Sequence, residues 1–190
     1  MRENARENHK IKKIVIIGAG PSGLGAARHS AELLRGDPDS ELTIIERSPD
    51  IGGIWGRGQR LGPAYRDLHT NLPKELMAFP DFPFPDSEES FIHQSVVKDY
   101  LERYAIHFDL NKVGRKTSLQ LELNSFIFQY VSLNTEVEEV RPLAPGDPGS
   151  GWSVKVKSLV TGEGRSITAD LIFLTGIREQ EPRLPGISNK

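Results

Sequence analysis

The sequence predicts an α/β fold centred on a parallel β-sheet, and three features of the chain lead to this prediction. Residues 14–17 form a short apolar run rich in β-branched side chains, which is typical of a strand buried on both faces. A glycine-rich turn and a helical segment, residues 21–35, follow directly. Two further short apolar runs, residues 41–46 and 170–174, have the composition of parallel strands.

The turn after the first strand has the spacing Gly18-x-Gly20-x-x-Gly23, which is typical of dinucleotide-binding βαβ units. Gly18 lets the chain turn sharply, and Gly20, which has no Cβ, lets a diphosphate approach the backbone. Gly23 lets the helix pack closely on the strand. The helix N-terminus adds unpaired N–H groups and the positive end of the helix dipole. The sequence therefore predicts a Rossmann-like dinucleotide site.

The second strand ends in an acidic residue, Glu46, 28 residues after Gly18. A carboxylate at this place binds the ribose hydroxyls of a dinucleotide's adenosine half. The separation exceeds the usual ~20 residues, and the loop at residues 36–40 accounts for the difference. A solvated carboxylate without a ligand is the alternative interpretation. We expect the ribose-binding role, because spacing and strand context agree.

The middle of the chain predicts helices and a covered loop. The first helix carries an apolar stripe at spacings of three and four residues, formed by Leu24, Ala27, Ala31 and Leu34. Residues 72–85 combine four prolines with three phenylalanines, so we expect an ordered loop packed under other elements. Residues 90–108 predict an amphipathic helix. Its expected buried side consists of Val96, Tyr100, Leu101, Tyr104 and Phe108.

The last part of the chain predicts a small β-meander and then a third parallel strand. Residues 132–140, 152–157 and 165–169 form the meander, with a turn at residues 142–151. The strand at residues 170–174 is expected to be buried, and it runs into Thr175-Gly176. A Thr-Gly pair at the carboxyl end of a parallel strand lies where α/β sheets bind ligands.

Composition limits the classes of function. The chain has 190 residues, a net charge of −2 and no cysteine. We therefore expect one domain with no disulfide, no metal site and no nucleic-acid partner. Residues 1–12 form a polar leader without the apolar core of a signal peptide. No apolar run reaches the ~18–20 residues that cross a membrane, so membrane association is not indicated and a cytoplasmic location is expected.

The order of the motifs resembles the flavin-containing monooxygenases, a family that oxygenates soft nitrogen and sulfur atoms. The first matching segments are residues 18–24, Glu46 and the Gly52-Gly53-Ile54-Trp55 loop. The next are residues 65–71, 73–79, 81–85 and 100–110, and the last is Thr175-Gly176 with Pro182, Pro185 and Gly186. The resemblance covers nearly the whole chain from Lys13, and the combined order of the segments makes it specific.

The resemblance implies FAD at the glycine turn and NADPH as the electron donor. It assigns the FAD diphosphate to Gly18, Ala19, Gly20, Pro21, Ser22 and Gly23, and the adenosine ribose to Glu46. It implies further cofactor-binding residues at Ile54, Trp55, Thr70, Leu72, Val137, Thr175 and Gly176. For Trp55, a place in the core is an equal alternative.

Asn71 is the catalytic residue that the resemblance implies. It matches the asparagine thought to hydrogen-bond the oxygen adduct of the reduced flavin, and a turn-capping role before Pro73 is the alternative. The implied partners are O2 and a small nucleophilic substrate containing nitrogen or sulfur. The family also allows a location on the cytosolic face of the endoplasmic reticulum.

Two departures from the family pattern bear on domains and activity. The chain has no second GxGxxG, so we expect a leader at residues 1–12, the first part of an FAD-binding domain at residues 13–190, and no NADPH-binding domain. The expected Rossmann-like three-layer fold is accordingly incomplete at the C-terminus. Residues 113–129 have no counterpart, and are either unspliced intron sequence read in frame or a surface insertion. Two functions stay open: an NADPH- and O2-dependent monooxygenase, and a catalytically inactive flavin-binding fragment.

Overall fold

A parallel sheet forms the centre of the fold, with the first strand between two partners. The computed structural model describes residues 11–56, 64–110 and 131–176. Strands β1 (Lys13–Ile17), β2 (Glu41–Ile45), β3 (Val131–Ser132) and β7 (Leu171–Leu174) lie in the order β3-β2-β1-β7. All three pairings are parallel. The predicted parallel sheet is confirmed.

Alternate side chains of β1 enter two different cores, which gives the fold three layers. Ile14 and Ile16 belong to the core that contains helices α1 (Pro21–Leu33) and α3 (Gln94–His107). Val15 belongs to a second core on the opposite face of the sheet. Successive side chains of a strand point to opposite faces, so one short strand serves both cores. The predicted α/β three-layer architecture is confirmed.

The layer on the second face is an antiparallel meander. It consists of β4 (Thr135–Ala144), β5 (Asp147–Ser158) and β6 (Gly164–Ala169) in that order. The predicted meander is confirmed, but the prediction of a single strand at residues 132–140 is wrong. Residues 132–140 divide between β3 and β4, because Asn134 takes a φ of 49° that interrupts an extended run. The turn predicted at residues 142–151 is also shorter, since only residues 145 and 146 separate β4 from β5.

Strand β7 is less buried than the sequence predicts. It pairs with β1 on one side, and Phe173 and Leu174 are 37% and 75% exposed. Among the described residues no strand pairs with its other side, so only part of its apolar surface is covered. The prediction of a parallel strand is confirmed, and the prediction of a buried one is wrong.

Helix α1 begins at Pro21 and ends two residues before its predicted end. Proline suits the first helical position because the N–H group it lacks would have no partner there. Leu24, Ala27 and Leu34 are buried as predicted, and Ala31 is half-buried against the same core. The small and apolar stripe thus holds α1 close to the sheet.

Helix α3 is shorter than predicted and shows a slightly different face to the core. It begins at Gln94 because the side chain of His93 caps it, accepting a hydrogen bond from the Ser95 N–H. Val96 and Phe108 are only half-buried. The buried residues of α3 are Val97, Lys98, Tyr100, Leu101, Tyr104 and Ala105.

Aromatic rings pack the proline-rich loop onto α3, as predicted. Phe84 stacks on Tyr100 with ring centroids 3.8 Å apart, and Phe79 stacks on Tyr104 at 4.0 Å. The Tyr100 hydroxyl accepts a hydrogen bond from the Phe79 N–H and donates one to the Phe82 carbonyl. Burial raises the pKa of Tyr104 to about 12. Tyr104 is buried and stacked on Phe79, so we assign it to packing.

Two predicted segments lie outside the described residues: most of the leader at residues 1–12, and residues 113–129 entirely. Among the helices that the structure describes, none is long and apolar enough to cross a membrane.

Candidate functional site

The carboxyl ends of three parallel strands meet at one edge of the sheet. Ile17 at the end of β1 is in register with Ile45 of β2 and with Leu174 of β7. The three loops that leave this edge begin at Gly18, Glu46 and Thr175. Open α/β sheets bind ligands at this edge, and the fold brings Gly18, Glu46 and Thr175 together there.

Close packing at the corner where β1 turns into α1 requires two of the three motif glycines. Gly18 has a φ of 106°, and its N–H donates to the Ile45 carbonyl at 2.8 Å. A Cβ on Gly23 would lie 2.0 Å from the Gly18 carbonyl oxygen. The Thr175 hydroxyl fills the remaining space and donates to the Ile17 carbonyl at 2.8 Å. Gly18 and Gly23 thus have the roles that the spacing predicted.

The second motif glycine, Gly20, is not required by packing. Its φ is −76°, which any residue adopts, and a Cβ there would meet the Gly53 Cα at an ordinary 3.6 Å. The space that this Cβ would fill lies between the glycine turn and the loop containing Gly53. A glycine here leaves room for a ligand to approach the backbone, which fits a dinucleotide diphosphate.

The loop at residues 51–56 forms the other side of this space. The Gly52 N–H donates to the Ala19 carbonyl at 2.9 Å, so the loop is bonded to the glycine turn. Gly52 and Gly53 have φ values of 110° and 59°, which favour glycine at both positions. A short 3-10 helix, Gly53–Trp55, follows.

The N-terminus of α1 faces the same turn. Its N-cap residue is Gly20, which has no side chain to cap the helix, and its first turn has no acidic residue. The N–H groups of Ser22 and Gly23 consequently have no acceptor within the helix. Pro21 and Ser22 are exposed. This terminus can therefore donate to an anion, with the helix dipole adding to the attraction.

The carboxylate of Glu46 closes the corner. Its Oε2 accepts from the Ala19 N–H at 2.7 Å and its Oε1 from the Ser48 N–H at 2.8 Å. Glu46 is 7% exposed, so the alternative of a solvated carboxylate is wrong. A carboxylate has about four acceptor sites, and these two hydrogen bonds use two of them. Glu46 thus fixes the glycine turn and retains capacity for a ligand.

Four of the other predicted residues lie on elements that border this edge. Trp55 packs against the main core, which supports its reading as a core anchor, and Ile54 is half-buried beside it. Val137 packs against the second core, two residues beyond Thr135, whose N–H donates to the Glu46 carbonyl at 2.9 Å. Gly176 is exposed, and a Cβ there would meet nothing within 4 Å.

The segment that contains Asn71 is attached to the beginning of α3. Thr70 is buried and exchanges hydrogen bonds with Ile92: its N–H donates to the Ile92 carbonyl at 2.9 Å, and its hydroxyl accepts from the Ile92 N–H at 3.2 Å. Thr70 therefore anchors the segment. Leu72 is 50% exposed.

Asn71 itself is exposed and does not cap a helix. The following helix, α2 (Lys74–Met77), has Pro73 as its N-cap residue and no side-chain cap. Asn71 therefore does not cap α2. An exposed amide on an anchored segment is available to donate to a ligand.

One contributor to the corner was missed at the sequence level. Lys98 of α3 is 1% exposed and donates to the Ile51 carbonyl at 2.7 Å. A sequence signal was present, because Lys98 shares the helical spacing of the buried Leu101 and Ala105. A lysine on that stripe indicates a buried charge with a partner.

Comparison with known proteins agrees with this geometry. Residues 11–122, more than half of the chain, match the family described as FMO-like, flavin-binding monooxygenase-like. The chain belongs to this family. The resemblance found in the sequence is thereby confirmed, and flavin is the cofactor that the family implies.

Among flavin-binding monooxygenases, the chain is similar to curated mammalian proteins. Flavin-containing monooxygenase 3 of Homo sapiens is 39% identical over 178 residues, which are 92% of this chain and 29% of that protein. The protein of the same name from Oryctolagus cuniculus is 40% identical over the same shares. Human dimethylaniline monooxygenase [N-oxide-forming] 4 is 39% identical over 105 residues, 53% of this chain and 18% of that protein. The chain thus spans less than a third of the length of these relatives.

Solved structures share the fold of this chain. Tmm from Pelagibacter sp. has a TM-score of 0.67 at 24% identity, over 91% of this chain and 38% of that chain. A flavin-containing monooxygenase from Stenotrophomonas maltophilia has a TM-score of 0.59 at 21% identity, over 86% and 37%. At these identities the likeness is one of fold.

Proposed function

We propose that this chain binds FAD at the carboxyl edge of its parallel sheet. In the proposal the chain is the FAD-binding part of a monooxygenase that uses NADPH and O2. The substrates would be small molecules with soft nitrogen or sulfur atoms. The observation that carries the proposal is the buried Glu46 carboxylate, which holds the Ala19 N–H and so fixes the glycine turn beside the strand end.

In this proposal, different residues of the corner bind the diphosphate and the ribose of the adenosine diphosphate half of FAD. The N–H groups of Ser22 and Gly23 and the absence of a Cβ on Gly20 suit the diphosphate. The two remaining acceptor sites of Glu46 suit the ribose hydroxyls, as the family pattern implies. FAD, when bound, supplies the redox chemistry by taking electrons from NADPH and passing them to O2.

Asn71 is the proposed catalytic residue of the flavin end. Its amide N–H donates a hydrogen bond but does not release its proton near neutral pH. Such a donor can stabilise negative charge on oxygen without protonating it. In an enzyme that contains this chain, loss of the Asn71 amide should raise the H2O2 released per NADPH consumed, and normal coupling would contradict the role.

The substrate class is part of the proposal because the chain covers only a portion of its relatives. One relative is named for N-oxide formation on dimethylaniline, and we infer the same kind of nitrogen, or an equivalent sulfur, for the enzyme that contains this chain. We also propose a location in the cytoplasm or on the cytosolic face of the endoplasmic reticulum, which cell fractionation would test.

A titration of the purified chain with FAD tests the central claim. We expect saturable quenching of flavin fluorescence at a stoichiometry near one. FMN lacks the adenosine half and should bind at least about tenfold more weakly, since it cannot reach Glu46. A chain that is folded by circular dichroism and leaves FAD fluorescence unchanged would overturn the proposal.

Addition of NADPH to the FAD complex separates the two functions left open by the sequence. Bleaching of the flavin absorbance would show that the chain completes the reductive step. A stable yellow complex would support the second candidate, flavin binding without turnover by this chain. The feature that favours this candidate is the presence of a single GxGxxG in the sequence.

A further inference from the structure

A buried lysine, Lys98, packs against the loop at residues 51–56. The ammonium of Lys98 lies 2.7 Å from the Ile51 carbonyl oxygen, 2.9 Å from a Glu102 carboxylate oxygen and 3.5 Å from an Asp50 carboxylate oxygen. Burying an ammonium group is unfavourable unless it is paired and hydrogen-bonded. Glu102 lies on α3 with Lys98, whereas Asp50 and Ile51 lie in the loop after β2, so removing the ammonium takes away the contacts that hold this loop to α3.

The contacts of Lys98 continue directly into the glycine turn. Ile51 precedes Gly52, whose N–H donates to the Ala19 carbonyl at 2.9 Å. The stem of Lys98 also lies against the loop, since a Cβ on Gly52 would be 3.2 Å from the Lys98 Cδ. On its other side the loop faces Gly20 through Gly53. A continuous path of contacts therefore runs from α3 to the proposed diphosphate space.

We propose that Lys98 is a positioning residue for the cofactor. Its ammonium fixes the Ile51 carbonyl, and the Gly52-Gly53 loop then holds the glycine turn in its diphosphate-binding shape. This inference rests on the proposed function, because it assigns Lys98 to the same site. Two carboxylates offset the charge of Lys98, so its contribution is to the geometry of the turn.

The test compares Lys98→Met with Lys74→Met. Lys74 is a matched control because it is also buried, at 7% exposure, and donates to two carbonyls, those of Pro85 and Glu88 in the proline-rich loop. Both substitutions keep an unbranched stem and remove an ammonium. The Kd values for FAD and for ADP, which carries only the adenosine diphosphate half, are measured by titration. We expect both Kd values to rise about tenfold in Lys98→Met and to stay within about twofold of wild type in Lys74→Met.

Hydrogen exchange without flavin gives a second readout that does not depend on the proposed function. The amides of residues 46–56 should exchange faster in Lys98→Met than in wild type and Lys74→Met, because the Gly52 bond to Ala19 opens more often. Unchanged exchange, or a wild-type Kd in Lys98→Met, would overturn the inference. Failure of the wild-type chain to bind FAD and ADP would instead overturn the proposed function.

A shorter polar side chain keeps the test decisive if Lys98→Met is insoluble. Lys98→Gln retains a hydrogen-bond donor but loses the charge and part of the reach to Ile51. We expect faster exchange at residues 46–56 and a Kd for FAD raised in the same direction. Wild-type values for both quantities in Lys98→Gln would refute the positioning role.

Discussion

Gly23→Ala is expected to abolish measurable FAD binding and to lower the free energy of unfolding by about 3 kcal/mol. The added Cβ would lie 2.0 Å from the Gly18 carbonyl oxygen and 2.9 Å from the Thr175 hydroxyl. That hydroxyl is held by its bond to the Ile17 carbonyl, so it cannot move away freely. Helix α1 must therefore shift off β1, which displaces the N–H groups at its N-terminus. Denaturant unfolding and FAD fluorescence measure the two effects.

Gly164→Ala is the control for the cost of a methyl group elsewhere. Gly164 begins β6, and a Cβ there would lie 3.7 Å from the Val156 carbonyl oxygen, an ordinary contact. We expect its free energy of unfolding to change by no more than about 0.5 kcal/mol, with an unchanged Kd for FAD. If Gly23→Ala changes the free energy of unfolding and the Kd for FAD no more than Gly164→Ala does, the close approach of α1 to β1 is wrong.

Glu46→Ala is expected to raise the Kd for FAD by about 10–100-fold and to lower the free energy of unfolding by about 1–3 kcal/mol. The substitution removes the acceptors of the Ala19 and Ser48 N–H groups. The Ala19 N–H is buried and would be left without a partner, which costs its desolvation free energy. The ribose hydroxyls would lose their acceptor at the same time. Titration with FAD and thermal unfolding of the flavin-free chain separate these contributions.

Two further variants show whether the carboxylate itself matters. Glu46→Gln keeps the shape but turns an NH2 group toward one of the two N–H donors, so we expect a Kd raised by about tenfold. Glu41→Ala lies at the other end of the same strand, where Glu41 makes an exposed ion pair with Lys13 at 3.8 Å. Its Kd should equal that of wild type. If the Kd for FAD is the same in Glu46→Ala as in Glu41→Ala, Glu46 does not contribute to the site.

The glycine corner could be predicted because its requirements are local in sequence. The spacing of Gly18 and Gly23 predicts a turn and a close helix contact whose nearest atoms, a Cβ at Gly23 and the Gly18 carbonyl oxygen, belong to residues close in sequence, and both appear as predicted. The strand end that carries Glu46 was predictable for the same reason. Parallel pairing then places Glu46 beside the turn, since a buried apolar strand of this length has few other places in an α/β sheet.

The features that escaped prediction depend on residues distant in sequence. Lys98 is buried because its acceptor, the Ile51 carbonyl, is supplied from 47 residues away. The division of residues 132–140 depends on which sheet each half joins, and Ser132 pairs with Ile45 while Thr135 pairs with Ser158. Periodicity predicts an extended segment but contains no information on its partner.

The pairing of β1 with β7 has a consequence for the order in which the chain assembles. The Thr175 hydroxyl and its acceptor on Ile17 are separated by 158 residues. A ribosome adds about 5–20 residues per second, so β1 waits roughly 8–30 seconds for this neighbour during synthesis. Until then one side of an apolar strand lies open, which is a condition that favours aggregation. We therefore expect the cellular yield of this chain to depend strongly on chaperones that bind newly synthesised strands. The packing of the folded chain alone would not indicate this dependence.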